Sequence, residues 1–435
     1  MLPSKKRLPF KRFYALICGI LFILGICLTL LKGDLNFVVS DGRGYYVYLP
    51  SLVVDGDLNF ANQIQNHWDV DFNPDLLAKQ TSQGLIPNKY PIGFALSLLP
   101  AFVLAHGVSS VLDFANIEGF SADGYSAPYQ LFCFATVLCF GFFTLVWTTQ
   151  LLQKPFGFAE PTAVFAVLIV WLCTNSLYYY VREPMMVHVV SSFWVLSVVR
   201  GLLGAQQTPK TTALSGWILG FCAGMAIVCR PTNGLIIGPF FVFYSVLNIR
   251  LWSFFMLLAG TLIPLGIQAV VWKTLYGSFL YFSYESEGFN WSHPMLWQTL
   301  FSSKHGLIFW SPILGFSLFG LVLGGFSHWK AEGLNSAYLA SRKRFATASC
   351  VAFAGLWYAN SCWHQWWFGD AFGARAFLEL GFVFVFGLCV FLEGFDLLQR
   401  HRAWVLFATF ACGLYNLTLM ALYILRKIPR ADFLF

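Results

Sequence analysis

Residues 13–31 read FYALICGILFILGICLTLL, a run of nineteen residues without a charged side chain. A helix of this length rises about 28 Å at ~1.5 Å per residue, close to the ~30 Å thickness of a bilayer core. The basic segment Lys5 to Arg12 precedes the run, and Lys32-Gly33-Asp34 follows it without a small-residue cleavage pattern. The sequence therefore predicts an uncleaved membrane helix whose N-terminus is cytoplasmic.

The composition extends this prediction to the whole chain. Of the 435 residues, 58% are hydrophobic and 11% are charged, whereas soluble domains carry about 25% charged residues. Apolar runs of spanning length recur to the end, so we expect an all-α, polytopic transmembrane helical bundle that forms one integral membrane domain over residues 1–435. The net charge of +7 collects at helix ends, where it meets lipid head groups, and does not indicate nucleic-acid binding.

The hydropathy pattern predicts about eleven full spans. They cover residues 13–31, 128–150, 161–179, 187–204, 213–229, 232–248, 252–272, 306–325, 346–361, 376–394 and 403–424. Basic loops, such as those around Lys154, Arg250 and Arg400, are assigned to the cytoplasmic side. They all fall on that side only if the short run 91–108 does not fully cross, so we predict that this run is re-entrant or interfacial. Two long loops, 32–89 and 273–305, are then extracytoplasmic.

The first long loop holds the most informative stretch, residues 40–60. Tyr45, Tyr48, Leu49 and Leu52 recur at helical spacing, which predicts a short amphipathic helix on the membrane surface. Asp41 would stand at the start of that helix, where a carboxylate is well placed to accept a proton from a hydroxyl. A helix N-cap is the alternative explanation for the same residue.

The same loop contains Asp55-Gly56-Asp57, which could offer hard oxygen ligands to a divalent cation. A turn explains these residues without a metal and is the favoured interpretation. The cysteines lie singly in or beside apolar runs, without C-x-x-C spacing, as expected of small packing residues. We therefore predict neither a metal nor a cofactor.

A second polar stretch follows the span 161–179 and contains Arg182-Glu183. Ionisable residues so close to a membrane interior are functional candidates, and Glu183 is accordingly a candidate catalytic acid. A charged helix end that reaches to water is an equally good explanation.

A third stretch, residues 357–375, contains four tryptophans, more than interfacial anchoring requires. Aromatic faces can pack on a sugar ring, and the planar fork of Arg375 suits a phosphate. Trp363, Trp366 and Asp370 are therefore candidate binding residues. Interface anchoring with a structural pair between Arg375 and Asp370 is the alternative.

Arg230, Lys304 and Tyr45 fall on the same predicted side and join the candidates for substrate binding. No Gly-rich phosphate loop or dinucleotide fingerprint occurs in the sequence, which argues against a cytoplasmic nucleotide as substrate. On the other side of the membrane, an activated sugar would have to arrive on a lipid.

The order of several motifs resembles a known family. The motifs are Tyr45-Tyr46-Val47-Tyr48-Leu49-Pro50-Ser51-Leu52 with Asp55-Gly56-Asp57-Leu58, then Tyr90-Pro91-Ile92-Gly93 with Leu98-Leu99-Pro100, Gly306 to Pro312, and Gly373-Ala374-Arg375. This pattern resembles the bacterial membrane glycosyltransferases of the C type (GT-C), which are related to the protein O-mannosyltransferases and the lipid A aminoarabinose transferase. The resemblance covers most of the chain.

The resemblance implies a GT-C fold and transfer of a sugar, with inversion, from a polyprenyl-phosphate carrier to an acceptor hydroxyl. It assigns the base to Asp41 and makes Glu183 the nearest candidate for a second acid, although the usual Asp is missing there. For a bacterial protein, the bilayer is the inner membrane and the active site faces the periplasm. A membrane transporter or lipid flippase is the main alternative, and a scaffold without catalysis is the second.

Overall fold

The computed structural model describes residues 10–30, 35–68, 77–207, 212–244, 251–285, 287–326, 335–430 and 432–433. The basic residues Lys5 to Arg7 and the segment Lys32 to Asp34, on which the predicted orientation partly rests, lie outside the described residues. Helix makes up 72% of the structure, and the described ranges contain no strand. The prediction of an all-helical fold is confirmed.

Most helices contribute to one large hydrophobic core, beside which lies a smaller cluster, and the two long loops interrupt otherwise short connections. In chain order they are α1 (Phe10–Leu30), α2 (Gly42–Tyr46), α3 (Tyr48–Pro50), α4 (Ala61–His67), α5 (Gly93–Phe114), α6 (Ala127–Gln153), α7 (Glu160–Leu172), α8 (Ser176–Val181), α9 (His188–Gln207), α10 (Ala213–Cys229), α11 (Asn233–Tyr244), α12 (Leu251–Tyr276), α13 (Leu296–Phe301), α14 (Leu307–Trp310), α15 (Ile313–Gly325), α16 (Ser336–Cys362), α17 (Gly381–Gly394), α18 (Leu397–Arg400) and α19 (Arg402–Ile424). A π-helical turn (Ser51–Asp55) follows α3, and a 3₁₀ turn (Arg375–Leu380) leads into α17.

Seven described segments are long and apolar enough to cross a bilayer, which is consistent with a multi-pass membrane protein. They are α1, α5, α6, α9, α12, the segment Arg375–Gly394 and α19. Six of them coincide with predicted spans. Four other predicted spans contain shorter apolar helices, α7, α10, α11 and α15, and the span 346–361 lies inside α16. The count of about eleven spans therefore stays a prediction.

The run 91–108 forms a longer helix than predicted, because α5 continues to Phe114 and has 22 residues. Its first half contacts the first loop. Phe94 packs on Tyr45 with ring centroids 6.0 Å apart, and Phe102 packs on Tyr46 at 5.9 Å. In the connection from α5 to α6, the Gly124 carbonyl accepts a hydrogen bond of 2.8 Å from Tyr46. Its length is sufficient to cross a bilayer, and the prediction that it does not fully cross stays a prediction.

The predicted surface helix of the first loop is helical, as α2, α3 and the π-helical turn. However, α2 and α3 are buried on all sides rather than on one, whereas Leu52 in the π-helical turn is exposed. Tyr45 is 6% exposed, and Tyr46 and Val47 on the opposite side are 0% and 1% exposed. Tyr46 packs against the rings of Phe102 and Tyr125. The water-exposed face expected of an amphipathic helix is therefore absent from α2 and α3, because α5 and the turn after it cover the side that the pattern assigned to water. The location of this helix at the membrane interface stays a prediction.

Close helix packing depends on small residues, as expected in a membrane, where lipid gives no hydrophobic drive between helices. The helices α10 and α12 approach so closely that a Cβ on Gly220 would overlap the carbonyl of Leu257, and one on Gly260 would overlap the carbonyl of Trp217. A glycine also allows α5 to pack closely against the end of α10, where a Cβ on Gly93 would overlap the backbone of Val228 and Cys229. This second contact places the start of α5 beside Arg230.

Candidate functional site

The centre of the candidate site is an ion pair between Asp41 and Arg375. Nη2 of Arg375 lies 2.7 Å from Oδ2 of Asp41 and also donates to the carbonyl of Phe368 at 3.2 Å. The Arg375 side chain is 14% exposed and that of Asp41 is 31% exposed. The carboxylate is thus held by the arginine while a third of its surface remains open to a ligand.

Local structure explains why the Asp41 carboxylate points into the site. Asp41 occupies the N-cap position of α2, but its side chain makes no capping hydrogen bond. Its backbone carbonyl instead accepts the first helical hydrogen bonds, from Gly44 and Tyr45. The N-cap interpretation is therefore correct for the position and wrong for the side chain, which is free to bind Arg375.

Three tyrosines surround the ion pair. The hydroxyl of Tyr90 donates a hydrogen bond to Asp41, and the ring of Tyr45 packs on Tyr90 with centroids 4.6 Å apart. Gly44 makes this possible, because a Cβ there would overlap the Tyr90 ring. Tyr284, from the second long loop, is the third, and burial raises its pKa to about 12.

The Asp41 carboxylate is ionised at neutral pH. Burial raises its pKa, but the charge of Arg375, the hydrogen bond from Tyr90 and the charge of Lys89 lower it by more. The net pKa therefore lies below the ordinary value of an aspartate. A group in this state can accept a proton, although its basicity is limited as long as Arg375 stays bound to it.

Glu183 lies next to this centre, as the sequence suggested, and its environment is different. It accepts a hydrogen bond of 2.8 Å from Tyr178. Burial raises its pKa, and the hydrogen bond from Tyr178 and the charges of Arg375 and Arg182 do not fully compensate, so the net pKa lies above the ordinary value. Repulsion from Asp41 adds to this shift. The two acids therefore differ in basicity within one site, a common feature of acid–base chemistry.

A second cluster of charges flanks the centre. Arg230 donates from Nη1 to Oε2 of Glu379 at 2.9 Å, and Nδ1 of His188 lies 3.0 Å from Oε1 of the same carboxylate. Arg230 also interacts electrostatically with the hydroxyls of Tyr45 and Tyr284. The sequence grouped Arg230 with Asp41 and Arg375 by predicted side of the membrane but gave no partner for it.

The rim of the site joins the two long loops. Lys89 pairs with Glu287 at 2.5 Å and lies over the rings of Tyr90 and Tyr284, 5.6 Å from each centroid. The ring of Trp363 meets Tyr284 edge-on at 5.6 Å. Trp363 is thus the predicted tryptophan that the structure brings to the rim of the site.

Other predicted residues have different partners. Asp370 is exposed and lies 3.9 Å from Arg430, so the alternative of a structural Arg375–Asp370 pair is wrong. The ammonium of Lys304 lies 3.8 Å from the ring centroid of Trp367, and Trp366 packs on Trp367 at 5.6 Å. These contacts form a neighbouring aromatic cluster and do not include Asp41.

Asp55 and Asp57 are hydrogen-bonded to neighbouring residues of the same loop. Asp55 accepts hydrogen bonds from Asn62 and Gln63, and Asp57 accepts from Ser51 and from the backbone of Asn59. Across the described residues, no group of three or more His, Cys, Asp or Glu is arranged to hold a metal ion.

Sequence reasoning missed Tyr90, Tyr284, Lys89, His188 and Glu379 as site residues. One signal was available for Glu379, since it is one of two acids, with Glu393, in the otherwise apolar predicted span 376–394, and such residues are functional candidates. Tyr284 and Lys89 carry no comparable signal, because isolated aromatic and basic residues are ordinary in loops.

Comparison of the chain with family models, with curated proteins and with solved structures finds no match in any of the three.

Proposed function

We propose that this chain is a glycosyltransferase that moves a sugar from a polyprenyl-phosphate carrier to an acceptor hydroxyl, with Asp41 as the base. The observation that carries the proposal is the contact between an accessible carboxylate and a nearly buried arginine, 2.7 Å apart, in a bundle of membrane-length helices. Such a pair supplies a proton acceptor and a phosphate-binding group side by side.

The proposed reaction is a single displacement. The oxygen of the acceptor hydroxyl attacks the anomeric carbon of the sugar, and its proton passes to Asp41. The bond between that carbon and the phosphate oxygen breaks, and the polyprenyl phosphate leaves with the electron pair. Because the leaving group is already a good one, no general acid is required, and Glu183 shapes the charge of the site next to the base.

Arg375 can serve both partners of this reaction. A guanidinium has five N–H donors, so it can hold Asp41 through Nη2 and present other N–H groups to the phosphate. The charge on the phosphate rises as it leaves, and fixed cations lower the energy of that state more than they do that of the intact donor. Arg230 is the second such cation, and Trp363 with Tyr45 and Tyr284 gives aromatic surface for the sugar.

The proposal includes a GT-C-like bundle in the inner membrane, with a cytoplasmic N-terminus and the site on the periplasmic side. This orientation rests on the basic loops, which all fall on the cytoplasmic side only if the run 91–108 does not fully cross.

The test is sugar transfer by the purified protein in lipid nanodiscs, with a panel of polyprenyl-phosphate sugars and simple hydroxyl acceptors. Transfer with release of polyprenyl phosphate would support the proposal. Binding of a donor without transfer or hydrolysis, in folded protein, would contradict it and favour a transporter or lipid flippase.

A further inference from the structure

Glu379 is the one acidic side chain among the described residues that falls in the buried class, at 1% exposure. It lies at the end of the 3₁₀ turn that leads into α17, within an apolar segment of spanning length. Burial of a carboxylate costs several kcal/mol unless charged or hydrogen-bonding partners compensate it. A carboxylate at this position therefore lowers the stability of the fold unless its partners compensate, and the identity of those partners indicates its role.

Each oxygen of this carboxylate has its own partner. Oε1 meets Nδ1 of His188 at 3.0 Å, and Oε2 accepts from Nη1 of Arg230 at 2.9 Å. The guanidinium also lies 3.4 Å from the His188 ring nitrogen. Side-chain exposure rises from 1% for Glu379 and 4% for His188 to 15% for Arg230. The arginine thus covers a buried acid–histidine pair and is the member that reaches accessible space.

Among the described residues, no acidic side chain other than Glu379 lines the space behind the Glu379–His188 pair, so no second carboxylate competes there for Arg230. A cavity of about 60 Å³ lies there, lined mainly by apolar side chains such as Val167, Phe382 and Val385. Glu379 and His188 are the charged or titratable groups, apart from tyrosines, that line it among the described residues. On the other side, Arg230 faces the hydroxyls of Tyr45 and Tyr284, which also feel the charge of Asp41.

We infer that Glu379 and His188 are positioning residues that hold the Arg230 guanidinium in the site as the second ligand for the phosphate of the lipid carrier. Arg230 follows α10 in an extended conformation, so its long side chain needs an anchor to stay at one place. The carboxylate supplies direction and charge, and the histidine holds the carboxylate. This inference rests on the proposed function for the identity of the phosphate.

The experiment measures binding of polyprenyl phosphate, without a sugar, to the protein in nanodiscs, with the neutral polyprenol as reference. Glu379→Gln keeps the size of the side chain and removes its charge. We expect its Kd to rise roughly tenfold or more, the effect of one displaced charge-assisted hydrogen bond. Arg230→Gln should have an effect of similar size, and the double variant should be no weaker than Arg230→Gln alone, because Glu379 acts through Arg230.

The matched control is Glu393→Gln, which breaks the ion pair with Arg342 elsewhere in the bundle. It should leave the Kd unchanged even if it lowers the thermal midpoint. If Glu379→Gln does not yield folded protein, His188→Gln is measured instead, and the loss of this neutral anchor should raise the Kd about threefold.

Several results would overturn the inference. The first is a Kd equal to that of the native protein in Glu379→Gln or, if that variant does not fold, in His188→Gln. The second is a double variant in which the separate effects of Glu379→Gln and Arg230→Gln on the Kd add up. Absence of polyprenyl phosphate binding above the polyprenol reference in the native protein would also do so. Native protein that binds polyprenyl phosphate but never transfers sugar contradicts the proposed function alone. Native protein that transfers sugar while Glu379→Gln binds normally contradicts this inference alone.

Discussion

Replacement of Asp41 by Asn tests the base directly. Asparagine keeps an oxygen that can accept the 2.7 Å hydrogen bond from Arg375 but cannot take up a proton from an acceptor. Loss of a positioned general base lowers the rate by roughly 10²–10⁴-fold. Since Arg375 is 14% exposed and loses its counter-charge, we also expect the free energy of unfolding to fall by about 1–3 kcal/mol.

The assay compares kcat for sugar transfer, the Kd for polyprenyl phosphate and the thermal midpoint in nanodiscs. The expected pattern is a large loss of kcat without weaker phosphate binding, because a neutral amide competes with the phosphate for Arg375 less strongly than the carboxylate does. Asp113→Asn is the matched control. Its carboxylate accepts from the backbone of Ala122 at 3.3 Å, in the turn after α5, and it should keep native kcat.

The reasoning would be refuted by an Asp41→Asn protein that retains more than about a tenth of the native kcat, since the loss would lie below the range expected for a general base. A variant that loses phosphate binding as severely as turnover would also refute it, because Asp41 would then be needed to organise the site and not to accept the proton. In that case Glu183, whose pKa is raised by burial, becomes the better candidate for the base.

Three further predictions address the surroundings of the base. Because burial raises the pKa of Glu183, its protonation stabilises the fold below pH ~4.3, the ordinary value, and this contribution is lost as the pH rises through the folded pKa. Glu183→Gln should therefore raise the thermal midpoint at pH 7.5 by a few degrees, and leave it unchanged at pH 4. Gly93→Ala places a methyl group against the backbone of Val228 and should cost about 1–3 kcal/mol in chemical unfolding, whereas Gly107→Ala, in the same helix with open space around it, should be neutral or stabilising by up to ~1 kcal/mol. Arg375→Lys keeps the charge but loses the planar fork and should raise the Kd for polyprenyl phosphate by roughly tenfold.

The helical class could be predicted because a spanning helix must satisfy its own backbone hydrogen bonds, which ties long apolar runs to helices. Runs such as 13–31 and 252–272 correspond closely to α1 and α12. The hydropathy of a run does not show where a helix is interrupted, however. The predicted span 161–179 is divided between α7 and α8, where the Thr174 hydroxyl turns back to the Val170 carbonyl, and Pro312 separates α14 from α15.

The burial of the first loop could not be predicted from its own residues. Tyr45, Tyr48 and Leu49 form a helical stripe that would equally suit a membrane surface. The opposite side is covered only because α5 and Gly124 return over Tyr46, and that return depends on contacts far along the chain. A local amphipathic pattern reports one apolar face and says nothing about what covers the other.

The sequence could predict which residues lie on the same side of the membrane as the candidate site, but not which of them contact one another. Asp41 and Arg375 were both assigned to one side, and they do meet, across 334 positions of sequence. The same assignment grouped Lys304 with them, although its ammonium lies on Trp367. Orientation rules place a residue along the membrane normal and leave its position in the membrane plane open. Pairing therefore had to come from the packing of helices.

The Asp41–Arg375 contact links the two ends of the proposed reaction. Before transfer, Arg375 is balanced by the negative charge of Asp41 at 2.7 Å. As the acceptor proton reaches Asp41, that charge disappears, and in the same step the departing phosphate gains one. The arginine can thus shift its strongest interaction from the base to the leaving group. The total charge of the site stays constant during this step, so the surrounding polar groups need to rearrange little. This exchange requires both partners within reach of one guanidinium, which explains why an acid in the first loop should pair with an arginine at the start of α17's 3₁₀ turn.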